Sequence, residues 1–228
     1  MSRTAEDELF ALLGDAGVAP ALRAGLSRYG ALVLDGGRRV NLTGAKSPAA
    51  LVEHLLDSLT VLPYAREPFV DVGSGGGFPG IPIAMAAGIP VTLIEATAKK
   101  AAFLANALEE LNLAGNVIQV RAEDAGQDDA LRERFASGTA RALSGVTTVA
   151  ELLLPLISPG GVAVLQRGRL DERERGSLED ASLMLGARIE SEVALQGERR
   201  ILLLRKERPT PLRFPRRAGI PEKRPLCV

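Results

Sequence analysis

The chain has 228 residues, 46% hydrophobic and 25% charged, enough to bury a core and too apolar for a disordered segment. A single cysteine, Cys227, no secretory pattern in MSRTAEDELFALLG and no apolar run of membrane-spanning length set the expectation of a cytoplasmic protein without membrane or metal partners. Basic and acidic residues balance at 28 each, yet residues 199–228 hold ten basic residues against Glu207 and Glu222, so attraction to phosphate would be local, at +8 over that stretch.

Residues 1–65 read as a helical extension. Apolar residues fall at helical spacing over 6–13 and 20–34, and most clearly over 47–62, where Ser47 can cap, Pro48 takes the first helical position and Leu51, Leu55, Leu59 and Leu62 share a stripe. From 66 to 208 short apolar runs alternate with helical periods. Strands are expected over 69–72, 91–94, 117–120, 139–143, 162–165 and 201–204, and helices over 81–87, 98–112, 146–157 and 170–185. That alternation predicts an α/β, doubly wound, mostly parallel sheet of Rossmann-like form. Residues 209–228, with five prolines and no period, form a basic arm lying on the domain or reaching from it.

The first strand runs into FVDVGSGGGFPGIP, a glycine string at the turn where a doubly wound sheet binds its ligand. Read from Gly75 it matches the dinucleotide fingerprint GxGxxG. Read from Asp71 it is an acid followed by Gly73, Gly75 and Gly77. The strand ends at Val72, so the tight turn begins at Gly73, two residues before the dinucleotide register. A carboxylate at Asp71 would repel a pyrophosphate but suits a ligand carrying an amino group and a sulfonium, which favours S-adenosylmethionine over NAD. Glu95 follows the second strand, 22 positions beyond Gly73, where it can accept hydrogen bonds from ribose hydroxyls. Glu123 follows the third, placed to flank adenine.

The acceptor is narrowed by what is missing. The fourth strand ends in TARALSG instead of the Asp/Asn-Pro-Pro-aromatic pocket that exocyclic-amine methylation uses, and Cys227 lies far from the sheet as a nucleophile for pyrimidine carbon. An acceptor with a free lone pair, such as a purine ring nitrogen, needs alignment and no base. Arg141 could orient that acceptor or the donor's carboxylate. His54, Asp57 and Ser58 share one helix face and superficially list a hydrolase triad, but a mid-helix serine has no oxyanion hole beside it. A polar face near the cofactor mouth is expected there.

Together NLTG at Asn41, EHLLDSL at Glu53, the glycine string, LIEATAKKAAFL at Leu93, RAED at Arg121, TARAL at Thr139 and PRRAGIPEKRPL at Pro215 resemble the small-subunit ribosomal RNA guanine-N7 methyltransferases, also called the glucose-inhibited division protein B family. The resemblance implies a class I methyltransferase using S-adenosylmethionine on a guanine near the decoding region of small-subunit rRNA. By motif position Gly73, Phe78, Glu95, Ala96, Thr97, Ala122, Glu123 and Arg141 would line the cofactor, beside Asp71, Gly75 and Gly77 from the loop argument. RNA contact is expected at Arg167, Arg200, Arg216, Arg217, Lys223 and Arg224. Two positions depart from the family pattern: Arg167-Gly168 stands where Lys-Gly is usual, and Arg199-Arg200 where Arg-His is usual, so no catalytic role is carried over to either. The competing readings are an NAD-dependent oxidoreductase and a noncatalytic ribosome- or RNA-binding module using the arm.

Overall fold

A computed structural model describes residues 4–141 and 145–227. The N-terminal helices begin where side chains can take up orphan backbone donors. Thr4 accepts from the Asp7 N–H while the Asp7 carboxylate accepts from the Thr4 N–H, a reciprocal cap that starts α1 (Ala5–Asp15). Pro20 opens α2 (Pro20–Gly36), and Ser47 Oγ caps α3 (Pro48–Leu59), which buries Leu51, Val52 and Leu55.

Next come β1 (Phe69–Val72), α4 (Gly80–Ala87), β2 (Val91–Ile94), α5 (Ala98–Glu110), β3 (Gly115–Ile118) and α6 (Ala122–Ala125). The chain continues through β4 (Phe135–Ala140), α7 (Val146–Leu153), β5 (Ile157–Gly168), α8 (Glu172–Met184), β6 (Ala187–Ala194), β7 (Arg199–Lys206) and α9 (Ile220–Lys223). The sheet order is β3-β2-β1-β4-β5-β7-β6, parallel through β5 and antiparallel over the last two pairs. Between β1 and β4 the winding reverses, which opens a crevice at the carboxyl ends of the strands.

Both faces of the sheet are covered. On β5 Val162 and Val164 join the core beneath α1–α5, whereas Ala163 and Leu165 join the core beneath α7 and α8. The N-terminal helices therefore complete the first layer. Phe214 and Leu226 of the C-terminal arm are buried in the second.

The structure departs from the sequence expectations in particular places. Strand β3 lies two residues earlier than the expected 117–120, and β4 begins four residues earlier than expected, through Ser137 and Gly138. Ser137 is buried because its hydroxyl donates to Arg66 C=O and accepts from Arg66 N–H, and a Cβ at Gly138 would stand 2.5 Å from Val70 Cγ1. A hydrophobicity reading passes over such residues. Residues 142 and 143 of the expected strand lie outside the described residues. Strand β6 was not expected: its sequence ARIESEVA suits a sheet edge, half in solvent, and it reverses into β7 to make the antiparallel end.

Candidate active site

Strand β1 ends at Val72 and the turn starts at Gly73, as the register argument requires. Its glycines divide by purpose. Gly73 (φ +68) and Gly75 (φ +57) take left-handed conformations and line a cavity of about 440 Å³, within the range of small-molecule sites. A Cβ at Gly75 would meet nothing nearer than the Gly73 carbonyl at 3.8 Å, so that side of the turn is open to a ligand. Gly77 instead faces the protein, where a Cβ would stand 2.7 Å from Ile81 and 2.8 Å from the Tyr29 hydroxyl. Tyr29, fully buried, fixes the same turn by donating to the Gly76 carbonyl at 2.6 Å.

Asp71 does not line the cavity, contrary to its expected contact with the donor's positive end. Fully buried beneath the turn, it accepts the Gly80 N–H at 3.1 Å through Oδ2, at the start of α4, while Oδ1 has no hydrogen-bond partner. Burial raises its pKa to about 7, against the opposing pull of the Gly80 N–H, Arg141 and Ser74. Phe78 and Thr97 also lie off the cavity wall. Phe78 turns inward, its ring 5.2 Å from that of Tyr29 and 5.9 Å from that of His54, and Thr97 gives its N–H to Glu95 as α5 begins.

Glu95 joins the turn to the end of β2. Its Oε2 accepts the Gly75 N–H at 2.9 Å and its Oε1 the Thr97 N–H at 2.7 Å, so each oxygen keeps a lone pair for ribose hydroxyls. Ala96, Ala122 and Glu123 continue the wall across β2 to β3. Glu123 already has partners: its Oε1 accepts from Arg121 Nη2 at 3.1 Å and from the Gly219 N–H at 2.7 Å. Burial alone would raise its pKa, but the Gly219 N–H and Arg121 hold it below the usual range. Loop glycines, a ribose-ready carboxylate and a crevice running from β1 to β3 fit the outline of S-adenosylmethionine.

At the β1/β4 switch Arg141 lines this cavity and a second one of about 280 Å³. Its Nη1 donates to Asp57 Oδ2 at 3.1 Å, and its Nη2 meets His54 Nδ1. Burial first, then Arg141, lowers the His54 pKa, so the ring is neutral at pH 7 and Nδ1 accepts. Asp57 Oδ1 meanwhile takes Arg199 Nη1 at 3.3 Å. The polar face of α3 is thus a clamp on two arginines. Ser58 is excluded as a nucleophile because its hydroxyl donates to the His54 carbonyl at 2.6 Å. Arg167, Arg199 and Arg200 complete the second cavity; sequence reading expects this polar face of α3 near the cofactor mouth, but not its pairing with Arg141, more than 80 residues away.

The remaining basic positions separate by environment. Arg217, Lys223 and Arg224 are exposed along the arm. Arg216 is held by Glu151, with Nε to Oε1 at 2.8 Å and Nη2 to Oε2 at 2.6 Å, and Glu151 is completely buried. Its guanidinium anchors the arm to α7 and is not presented to a phosphate.

Sheet order, glycine turn and crevice define a class I methyltransferase. Solved structures agree on the fold: the mitomycin 7-O-methyltransferase aligns with TM-score 0.55 at 15% identity over 86% of this chain and 75% of its own, and an MtNAS mutant in complex with S-adenosylmethionine with TM-score 0.53 at 18% over 90% and 84%. The family model described as "rRNA small subunit methyltransferase G" matches residues 23–203. Ribosomal RNA small subunit methyltransferase G of Rubrobacter xylanophilus is 42% identical over 86% of this chain and 81% of its own length, and that of Trichormus variabilis 37% over 86% of both. The chain belongs to this family. It is an S-adenosylmethionine-dependent methyltransferase of small-subunit ribosomal RNA, which sets aside the oxidoreductase and noncatalytic readings.

Proposed function

We propose that the enzyme methylates the seven-position ring nitrogen of a guanine, with the donor along the first cavity and the acceptor in the second. The observation that carries this is Arg141, shared by a glycine- and carboxylate-lined cavity and an arginine-lined one. The bound donor supplies an electrophilic methyl carbon. As the nitrogen lone pair forms the new N–C bond, the C–S pair returns to sulfur and no proton moves, so no general base is required. The chain's task is alignment. Arg141, held between Asp57 and His54, is placed to donate to the guanine six-oxygen, the acceptor atom left free at that edge. Arg167, Arg199 and Arg200 supply charge for the neighbouring phosphates.

The setting is the cytoplasm and the partner is the small ribosomal subunit or its RNA, as the rRNA small subunit methyltransferase relatives support; among the described residues no helix is long and apolar enough to cross a membrane. Small subunits from a strain without the native enzyme, incubated with the protein and labelled donor and then cleaved with borohydride and aniline, should break at one guanine. Labelled RNA that resists cleavage would place the methyl group on another atom.

A further inference from the structure

The C-terminal arm does more than carry charge. Pro221 and Glu222, at the start of the short helix α9, form part of the wall of the first cavity together with Ala122 and Glu123. Three attachments hold them there. The Gly219 N–H donates to Glu123, the buried Thr148 hydroxyl donates to the Pro221 carbonyl at 2.9 Å, and Arg216 is locked to Glu151. Pro221 is buried, and Glu222 is exposed at the cavity rim.

The direction of the donor decides which part of it meets this wall. Its reactive end must face Arg141, where the two cavities join, and its ribose lies at Glu95 after β2. The adenine end then points past β2 to β3, where Ala122, Glu123, Pro221 and Glu222 converge. Among these, Glu123 Oε1 is taken up by Arg121 and Gly219. The Glu222 carboxylate is an acceptor at the mouth of the cavity, and Pro221 offers an apolar ring beside it.

We propose that the C-terminal arm is part of the cofactor site, with Pro221 packing on the adenine and Glu222 accepting its exocyclic amine. The arm that carries Lys223 and Arg224 toward RNA thus also closes the donor site. This inference rests on the donor occupying the first cavity.

Calorimetry with S-adenosylhomocysteine and with its deaminated analogue S-inosylhomocysteine, in which a carbonyl replaces the amine, tests it. Deleting the arm is uninformative, since Phe214 and Leu226 belong to the core. Point variants with unchanged thermal unfolding serve instead. Glu222→Ala should bind S-adenosylhomocysteine about tenfold more weakly and lose most of its preference over the inosine analogue, the effect of one charge-assisted hydrogen bond. Thr148→Val, which releases Pro221, should weaken both ligands about threefold or more. Wild-type affinity in either variant, or equal loss of both ligands in Glu222→Ala, overturns the proposal. Glu95→Ala is the control for the site itself. If it alone loses binding, the arm inference fails; if it too binds normally, the donor does not lie in this cavity.

Discussion

Replacing Arg216 by alanine separates anchoring from RNA contact. The change removes two side-chain hydrogen bonds and leaves the Glu151 carboxylate, completely buried, with only the Arg216 backbone N–H at 2.9 Å among its described partners. Breaking a buried ion pair from one side costs about 3–5 kcal/mol because the remaining charge is desolvated without compensation. For a chain of this size that is a fall in Tm of roughly 6–20 °C. Glu151→Gln combined with Arg216→Met keeps an acceptor for the backbone N–H and leaves no charge, so the double variant should cost only about 1–2 kcal/mol, less than the single change. Arg217→Ala, next in sequence but exposed, should stay within about 0.5 kcal/mol of wild type while weakening RNA binding. Urea and thermal unfolding followed by circular dichroism measure all three. An Arg216→Ala variant that loses under about 1 kcal/mol, and whose RNA affinity falls in step with Arg217→Ala, would refute the anchoring argument.

Asp71, held near 7 in the folded protein against an ordinary value of 3.8, contributes stability below its unfolded pKa that is lost as pH rises through 7. Asp71→Asn should therefore gain on wild type by up to about 4 kcal/mol between pH 4 and pH 8, and a pH-independent difference in unfolding free energy would count against the buried carboxyl. His54 has its pKa lowered below 6.5, so its neutral form favours the folded state and stability falls with pH below 6.5 down to the folded value. Protonation there also removes the acceptor for Arg141; turnover should show an acid limb below pH 6.5 that His54→Asn abolishes, with donor affinity unchanged, and a limb that persists in the variant would assign it elsewhere. Replacing Arg217, Lys223 and Arg224 by alanine should reduce the slope of log affinity for RNA against log salt by roughly 2–3, and an unaltered slope in filter binding would remove the arm from the RNA interface.

The most legible strands are the mostly apolar ones. Phe69–Val72 and Val91–Ile94 lie beside each other in the sheet and are located to the residue, because a strand buried on both faces writes a largely apolar run, interrupted here only by Asp71 and Thr92. The first half of β4 did not, since Ser137 and Gly138 answer local demands of the Arg66 backbone and the Val70 methyl. Edge strand β6 is hard to read for the opposite reason: most of its residues are only partly buried or exposed at the edge of the sheet, so no apolar run marks it. The glycine string was legible as a ligand turn from its register, but the division of labour within it was not. Whether a glycine faces an open cavity, as Gly75 does, or makes room for Tyr29 and Ile81, as Gly77 does, depends on helices α2 and α4 arriving from elsewhere in the chain.

Charge was the least legible property, and for the same reason. A basic residue in a sequence looks available until its partner is known: Arg216 is engaged by Glu151, Arg141 and Arg199 by Asp57, and Lys206, fully buried, by Glu133 and the carbonyls of Leu154 and Ile157. The pairing is nevertheless selective. Asp57, the acid of the second cavity, holds Arg141 and Arg199 in place with a single carboxylate between two guanidiniums, so the local field remains positive where an RNA phosphate or guanine edge would enter. Removing that carboxylate would leave Arg141 with His54 and Arg199 with the Gln196 carbonyl, loosening both long side chains, and restoring their order on RNA binding would then oppose association. Through Asp57, α3 of the N-terminal extension positions Arg141 and Arg199 in the cavity proposed for the acceptor.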